Sequence, residues 1–316
     1  MSFKLNPTTP IYVAGHRGLV GSAVWRQLEA EGCQNLIGWT SAEVDLRDRD
    51  ATFDAVLTAK PEVVVVAAAK VGGIMANDTY PVDFLNDNLR IQTNLFEASH
   101  AAEVPRLIFL GSSCIYPKLA NQPISENELL TGPLEPTNDA YAIAKIAGIM
   151  AIRSYRRQYG HSWISAMPTN LYGNGDNFDI ENSHVLPAMI RKFDAAKETG
   201  EPPTLWGTGT PRREFLHTTD LAQAVTHLLR TFDDDTHINI GTGSDVSIAE
   251  LADLIADVVG YDGEVIWDTS KPDGTPRKLL DVSKLRATGW SPQITLGEGI
   301  AETYQWYLAN RNTLRS

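Results

Sequence analysis

The sequence predicts an α/β protein: a Rossmann-type, doubly wound parallel sheet with a smaller α/β carboxyl-terminal body that holds a substrate. Three observations carry this. The apolar run 10–14 leads at once into Gly15-x-x-Gly18-x-x-Gly21 and an amphipathic segment. Residues 63–69 (Val-Val-Val-Val-Ala-Ala-Ala) are apolar on both faces, as a parallel strand covered by helices on each side must be. Strand-like and helix-like stretches then alternate as far as Ile164.

Taken in order, 10–14 reads as a strand, 20–31 as a helix, 36–39 as a strand, 48–57 as a helix and 63–69 as the central strand. A helix over 81–102, a buried strand over 106–110, a helix running to Tyr159 and stopped by Gly160, and a strand at Ile164 complete the alternation. After Pro168 the rhythm breaks. Residues 170–178 read as loop, 183–196 as helix, 207–211 as a turn cluster, and a further helix starts near Asp220. Residues 237–243 read as strand then turn, Ser247-Ile-Ala-Glu250 as a capping box opening a helix, 270–278 as a basic loop, and 296–309 as the last helix. The nucleotide-binding body is expected over 1–168, with 213–243 and 280–290 returning to it, and the substrate body mainly over 169–316.

Composition narrows the class. A chain of 316 residues that is 43% hydrophobic and 21% charged can bury a full core, and its net charge of -12 argues against nucleic acid as a partner, since a polyanion would be repelled. No apolar run approaches the roughly 18 residues that span a bilayer, and the start, Met-Ser-Phe-Lys-Leu-Asn-Pro, lacks the apolar core of a signal peptide. A cytoplasmic protein without membrane contact is therefore expected. Only two cysteines are present, Cys33 and Cys114, so no disulfide framework is expected, and no metal site either. Cys33, near the end of the first helix, reads as a buried inert thiol.

The glycine spacing, placed between a strand and a helix, is the context a dinucleotide phosphate site requires. The first glycine allows the tight turn, the second lets pyrophosphate approach, the third lets the helix pack, and helix amides hold the phosphates. His16, Arg17, Leu19 and Val20 complete that loop. Where the second strand ends, Trp39, Thr40 and Ser41 offer no carboxylate for the adenosine 2′-hydroxyl, while Arg17 can pair with a 2′-phosphate. NADP (NADPH) is therefore expected over NAD. Asp45 is placed equally well to meet the adenine edge or to cap the next helix.

Leu110, Gly111, Ser112, Ser113 and Cys114 follow the buried strand at its carboxyl edge, where open α/β sheets hold ligands. Tyr141 and Lys145, four apart, share a helix face, and an ammonium beside the phenol would lower the tyrosine pKa towards neutrality for proton transfer. Ser112 would donate to a substrate carbonyl beside that phenol, while Ser113 reads as a turn serine bonded to its own backbone. Cys114 is expected to do acid/base work, with His184 able to sit opposite it.

Several blocks resemble the GDP-L-fucose synthase family, bifunctional 3,5-epimerase/4-reductases of the extended short-chain dehydrogenases. They are Gly-His-Arg-Gly-Leu-Val-Gly at 15–21, Ala-Ala-Ala-Lys-Val-Gly-Gly-Ile at 67–74, Gly-Ser-Ser-Cys-Ile-Tyr-Pro-Lys at 111–118, Glu-Pro-Thr-Asn at 135–138, Tyr-Ala-Ile-Ala-Lys-Ile-Ala-Gly at 141–148, Met-Pro-Thr-Asn-Leu-Tyr-Gly at 167–173 and Lys-Pro-Asp-Gly-Thr-Pro-Arg-Lys-Leu-Leu-Asp at 271–281. The resemblance implies conversion of GDP-4-keto-6-deoxy-D-mannose to GDP-L-fucose with NADPH, by a homodimer paired through 81–102 and 141–159. It makes Ser112, Tyr141 and Lys145 the reductase triad and Cys114 and His184 the epimerisation pair. It adds Pro168, Thr169, Asn170, Leu171 and His184 to the nucleotide contacts, and Lys192, Trp206, Arg213 and Asp273 to those of the substrate. The sequence departs from the family at Trp39 and Ser41, where a basic residue is common, and at Lys192, where arginine is.

That chemistry is coherent, because a ketone at C4 acidifies the hydrogens on C3 and C5 through one enolate and then accepts hydride itself. Two other readings fit the same scaffold: a sugar-nucleotide 4,6-dehydratase or 4-epimerase with bound NAD, and a non-catalytic nucleotide-binding dimer.

Overall fold

The computed structural model describes residues 3–179, 183–271 and 273–312, so Pro272 of the motifs above lies outside the described residues. In chain order the elements are β1 (Ile11–Ala14), α1 (Leu19–Ala30), β2 (Leu36–Ile37), α2 (Arg49–Ala59), β3 (Val63–Val66), α3 (Ile74–Thr79), α4 (Pro81–Ala101), β4 (Arg106–Leu110), α5 (Asp139–Tyr159) and β5 (Ile164–Pro168). There follow β6 (Asn170–Tyr172), α6 (Val185–Thr199), β7 (Thr204–Trp206), β8 (Arg212–Arg213), β9 (Phe215–His217), α7 (Thr218–Thr231) and β10 (Ile238–Ile240). The last are β11 (Val246–Ser247), α8 (Ile248–Val259), β12 (Ile266–Asp268), β13 (Arg277–Lys278), α9 (Ser283–Ala287) and α10 (Leu296–Asn310).

Six strands form one parallel sheet in the order β10-β5-β4-β3-β1-β2. Growth of the sheet reverses between β1 and β3, and such a reversal opens a crevice at the carboxyl ends of the strands. Val63 to Val66 have no exposed surface, so each contributes roughly 1.5–3 kcal/mol relative to a solvated valine. Helices α1 and α7 pack together as one covering layer and α2, α4 and α5 as the other. Gly148 lets α5 come down on the sheet: a Cβ there would stand 2.4 Å from the Phe109 ring. That contact sets the height of Tyr141 and Lys145 above β4.

Two apolar clusters are present. The larger is built on the central sheet and includes Leu216 to Ile240 from the β9–β10 segment and Leu280 to Trp290. The smaller joins Tyr172, Leu186, Phe193, Leu205, Ile255 and Tyr304 from α6, α8, α10 and the short strands. The capping box at Ser247 and Glu250 is present, as is the Gly160 stop, with φ 75.

The differences from expectation are local. Residues 38–39 and 67–69 leave the sheet; the backbone at Ala68 lies so near Gly15 that a Cβ on that glycine would stand 2.9 Å away. Residues 170–172, expected as loop, form β6 beside β9, a pairing across 45 positions of sequence that no local pattern encodes. Helix α7 starts two residues early because the His217 side chain caps it, accepting the Thr219 N–H at 3.4 Å. No helix among the described residues is long and apolar enough to cross a membrane.

Candidate active site

Strand β4 delivers the chain to a short 3-10 turn at Ser113–Ile115. The side chain that caps this turn belongs to Ser112, whose Oγ accepts the Cys114 N–H at 3.3 Å, and not to Ser113, as the sequence suggested. Ser113 is buried and closes the turn with its carbonyl, which accepts the Tyr116 N–H. The Ser112 hydroxyl is also hydrogen-bonded to the Tyr141 phenol.

Tyr141 and Lys145 share a face of α5, as their spacing requires. The Lys145 Nζ lies 5.8 Å from the centre of the Tyr141 ring and donates to the Leu110 carbonyl at 2.9 Å. The expected lowering of the tyrosine pKa is not found. Burial raises it, the nearby Cys114 adds to the rise, and only the Ser112 hydrogen bond opposes it. The reason is that Lys145 is itself buried, which pushes its own pKa down to about 8, and its ammonium is spent on Leu110. Tyr141 is therefore a protonated phenol in this state.

The Cys114 sulfur accepts from Asn138 Nδ2 at 3.5 Å and from Lys278 Nζ at 3.6 Å. Neither partner was legible in the sequence, since Lys278 is 164 residues away. His184, at the N-cap of α6, is exposed as a residue, while burial of its ring by its surroundings lowers its pKa. Cys33 is buried, and desolvation raises its pKa, as an inert thiol requires.

At the amino end of the crevice, Gly15 has φ 83, and a Cβ on Gly21 would fall 2.1 Å from the Gly15 carbonyl oxygen. Helix α1 begins at Gly18 with no side-chain cap, so its first amides remain available to phosphate oxygens. These features fit a dinucleotide. Arg17 is exposed beside them. The adenosine end needs correcting: Glu43, missed in the sequence, folds back so that its carboxylate accepts the Thr40 N–H at 2.7 Å and the Thr40 hydroxyl at 2.8 Å. Arg17 and His16 both act on that carboxylate. Trp39 packs edge-on against Tyr12, 4.7 Å between ring centres. Asp45 does not cap α2; Asp48 does, through the Ala51 N–H, while Asp45 pairs with Arg47 at 2.7 Å.

Across the crevice, Thr169 and Asn170 both donate to the Glu214 carbonyl, and the amides of Thr242, Gly243 and Leu280 converge on the Glu214 carboxylate, which burial pushes up in pKa. Leu171 is half-buried in β6, and Pro168 ends β5. Trp206 is 50% exposed, with Lys192 Nζ 5.9 Å and Lys271 Nζ 5.4 Å from its ring centre. Lys192 also donates to the Thr204 carbonyl, and burial lowers its pKa. Arg213 lies near Cys114, Glu135 and Asp273. Asp273 accepts the N–H and hydroxyl of Thr208, fastening the 270–278 loop to the turn beneath Trp206.

A bare glycine turn opening a helix, beside a serine, a tyrosine and a lysine gathered at the next strand edges, is the layout of a dinucleotide-dependent oxidoreductase. Residues 11–241 match the model of the NAD dependent epimerase/dehydratase family. The chain is 56% identical over 312 residues to GDP-L-fucose synthase 1 of Arabidopsis thaliana, covering 98% of this chain and 96% of the relative. It is 52% identical over 315 residues to GDP-L-fucose synthase of Escherichia coli (strain K12), covering 96% and 98%. A crystal structure of a GDP-L-fucose synthetase from Naegleria fowleri bound to NADP superimposes with a TM-score of 0.92 at 30% identity, covering 100% of this chain and 98% of that one. The chain belongs to the NAD dependent epimerase/dehydratase family, within its GDP-L-fucose synthase branch.

Proposed function

We propose that this protein inverts C3 and C5 of GDP-4-keto-6-deoxy-D-mannose and reduces its C4 ketone with NADPH, giving GDP-L-fucose. The observation that carries the reading is the meeting of Cys114, Ser112 and Tyr141 at one strand edge, which combines proton exchange and carbonyl polarisation in one place. A nicotinamide cofactor, when bound, would supply the hydride. Ser112 and Tyr141 donate hydrogen bonds to O4, stabilising the enolate during inversion. Cys114 and His184 exchange protons with the ring on opposite faces. In the reduction Tyr141 gives its proton to O4, and the product, having lost its carbonyl, no longer epimerises.

Gly15 to Gly21 would hold the pyrophosphate, Leu110 to Ser113 and Pro168 to Leu171 would contact the nucleotide, and Lys145 would position the ribose. Arg17 is the residue that favours NADPH over NADH, with Glu43 working against it. Lys192, Trp206 and Arg213 hold the sugar nucleotide, while Asp273 acts by fixing the loop. The smaller apolar body carries these substrate contacts. The protein works as a homodimer in a reducing cytoplasm, where its two free cysteines stay reduced.

The test is NADPH consumption on enzymatically made GDP-4-keto-6-deoxy-D-mannose, beside NADH, with the product identified by NMR. GDP-L-fucose formed faster with NADPH supports the reading. Loss of water from GDP-mannose with NADP and no added reductant would instead establish a dehydratase.

A further inference from the structure

Asn138 occupies the N-cap of α5, a position where asparagine ordinarily binds the first amides of its own helix. Here it makes no such bond. Its Nδ2 is given to the Cys114 sulfur, and its Oδ1 is buried with no hydrogen-bond partner. Lys278, at the end of the 270–278 loop, brings its Nζ to the same sulfur at 3.6 Å. Between them lies a cavity of about 10 Å³, lined by Cys114, Lys118, Glu135, Asn138, Thr275 and Lys278 among others, with room for roughly one water molecule. Lys118 and Glu135, both in its lining, pair at 3.0 Å. The charged groups facing the sulfur are thus Lys278 and Arg213, with Lys118, Glu135 and Arg277 across the cavity, and Tyr141 is the adjoining phenol.

The stereochemistry of the substrate gives this arrangement a task. In a D-manno ring the hydrogens on C3 and C5 are both axial on one face, so one residue must remove both and a second, opposite, must replace both. In the first inversion a C–H bond breaks, its electron pair enters the enolate and the proton forms S–H; an N–H of His184 then breaks to form C–H on the other face. The pair is left as thiol and neutral imidazole, the wrong state for repetition. His184, an exposed residue, can regain a proton from solvent. Cys114 has to lose one.

We propose that Lys278, with Asn138 and the cavity between them, returns Cys114 to its thiolate between the two inversions, the S–H proton passing to water and the ammonium remaining as the counter-charge. Lys278 is thus a positioning residue whose counter-charge serves the thiolate in both inversions and is needed most in the second, where the thiol must ionise within the occupied site. This rests on the function proposed above, with Cys114 as the base on the axial face.

The test runs the full-length wild type, Lys278→Met and Lys278→Arg on GDP-4-keto-6-deoxy-D-mannose with NADPH in D2O, counting deuterium at C3 and C5 and separating singly from doubly inverted products. For Lys278→Met the first inversion is expected within about tenfold of wild type while the second slows by about a hundredfold. Singly inverted, reduced sugar then accumulates, raising the pH restores the second inversion, and Lys278→Arg recovers most of it. Alkylation of Cys114 by iodoacetamide in Lys278→Met shifts to higher pH. Wild-type product ratios at every pH in Lys278→Met, or an unshifted alkylation curve, overturn the proposal. Should Lys278→Met be insoluble, Lys278→Gln gives the same readouts. Absence of carbon-bound deuterium in the wild type would instead overturn the function on which it rests.

Discussion

Lys145 shows how a single side chain can serve a site at a cost to the fold. Its ordinary pKa is 10.5 and burial brings it to about 8 in the folded chain. Between those values the unfolded chain holds a proton that the folded chain has released, so stability rises with pH across that window and is lost as pH falls through about 8. Compared with Lys145→Met, the wild type should therefore gain about 1.4 kcal/mol per pH unit over that range, measured by urea unfolding of both proteins. The variant should also lose turnover at every pH. Glu43 supports a second residue-scale prediction. Its carboxylate stands in the field of Arg17, so Glu43→Gln frees that guanidinium for a 2′-phosphate and should raise the ratio of kcat/KM for NADPH over NADH about three- to tenfold. No change in the ratio would remove Glu43 from cofactor selection.

At the scale of the element, the entry into α1 tolerates no side chain at Gly21, because the Cβ would meet the Gly15 carbonyl at 2.1 Å. Gly21→Ala should force the helix away from the loop, lowering stability by roughly 1–3 kcal/mol and weakening NADPH binding by about tenfold or more, read by calorimetry and fluorescence titration. Ser247→Ala is the control. It removes one half of the capping box of α8, far from the glycine turn, and should cost about 1 kcal/mol without moving the NADPH affinity. Equal loss of affinity in both variants would mean that binding follows general stability and not the shape of the turn.

For the whole molecule, the outward face of α5 carries Ile143 and Met150, seven residues apart and so on one stripe, 46% and 44% exposed. Helix α4 packs beside it and exposes Val82. Such a stripe favours burial against a second copy across a two-fold axis. On the proposed homodimer, replacing both Ile143 and Met150 by glutamate should lower the sedimentation coefficient from that of a dimer to that of a monomer, while leaving the α5 face that bears Tyr141 and Lys145 in place. An unchanged coefficient would exclude this face as the interface.

The elements of the nucleotide-binding half were legible because their signals are local: apolar runs for β1, β3 and β4, glycine at the turn and at the end of α5, a capping box at Ser247. So was the gathering of Ser112, Tyr141 and Lys145, since a strand edge and a helical spacing of four both place side chains without reference to the rest of the chain. What the sequence by itself determined was therefore the sheet, its glycine crevice and the residue types presented there. Only the tertiary structure decided their electrostatic state and their remote partners: that Lys145 is spent on Leu110, that Tyr141 keeps its proton, that Glu43 returns to Thr40, and that Asn138 and Lys278 meet at the Cys114 sulfur. Desolvation and charge pairing depend on what lies within a few ångströms in space, and at the Cys114 sulfur those neighbours come from as far as 164 residues away.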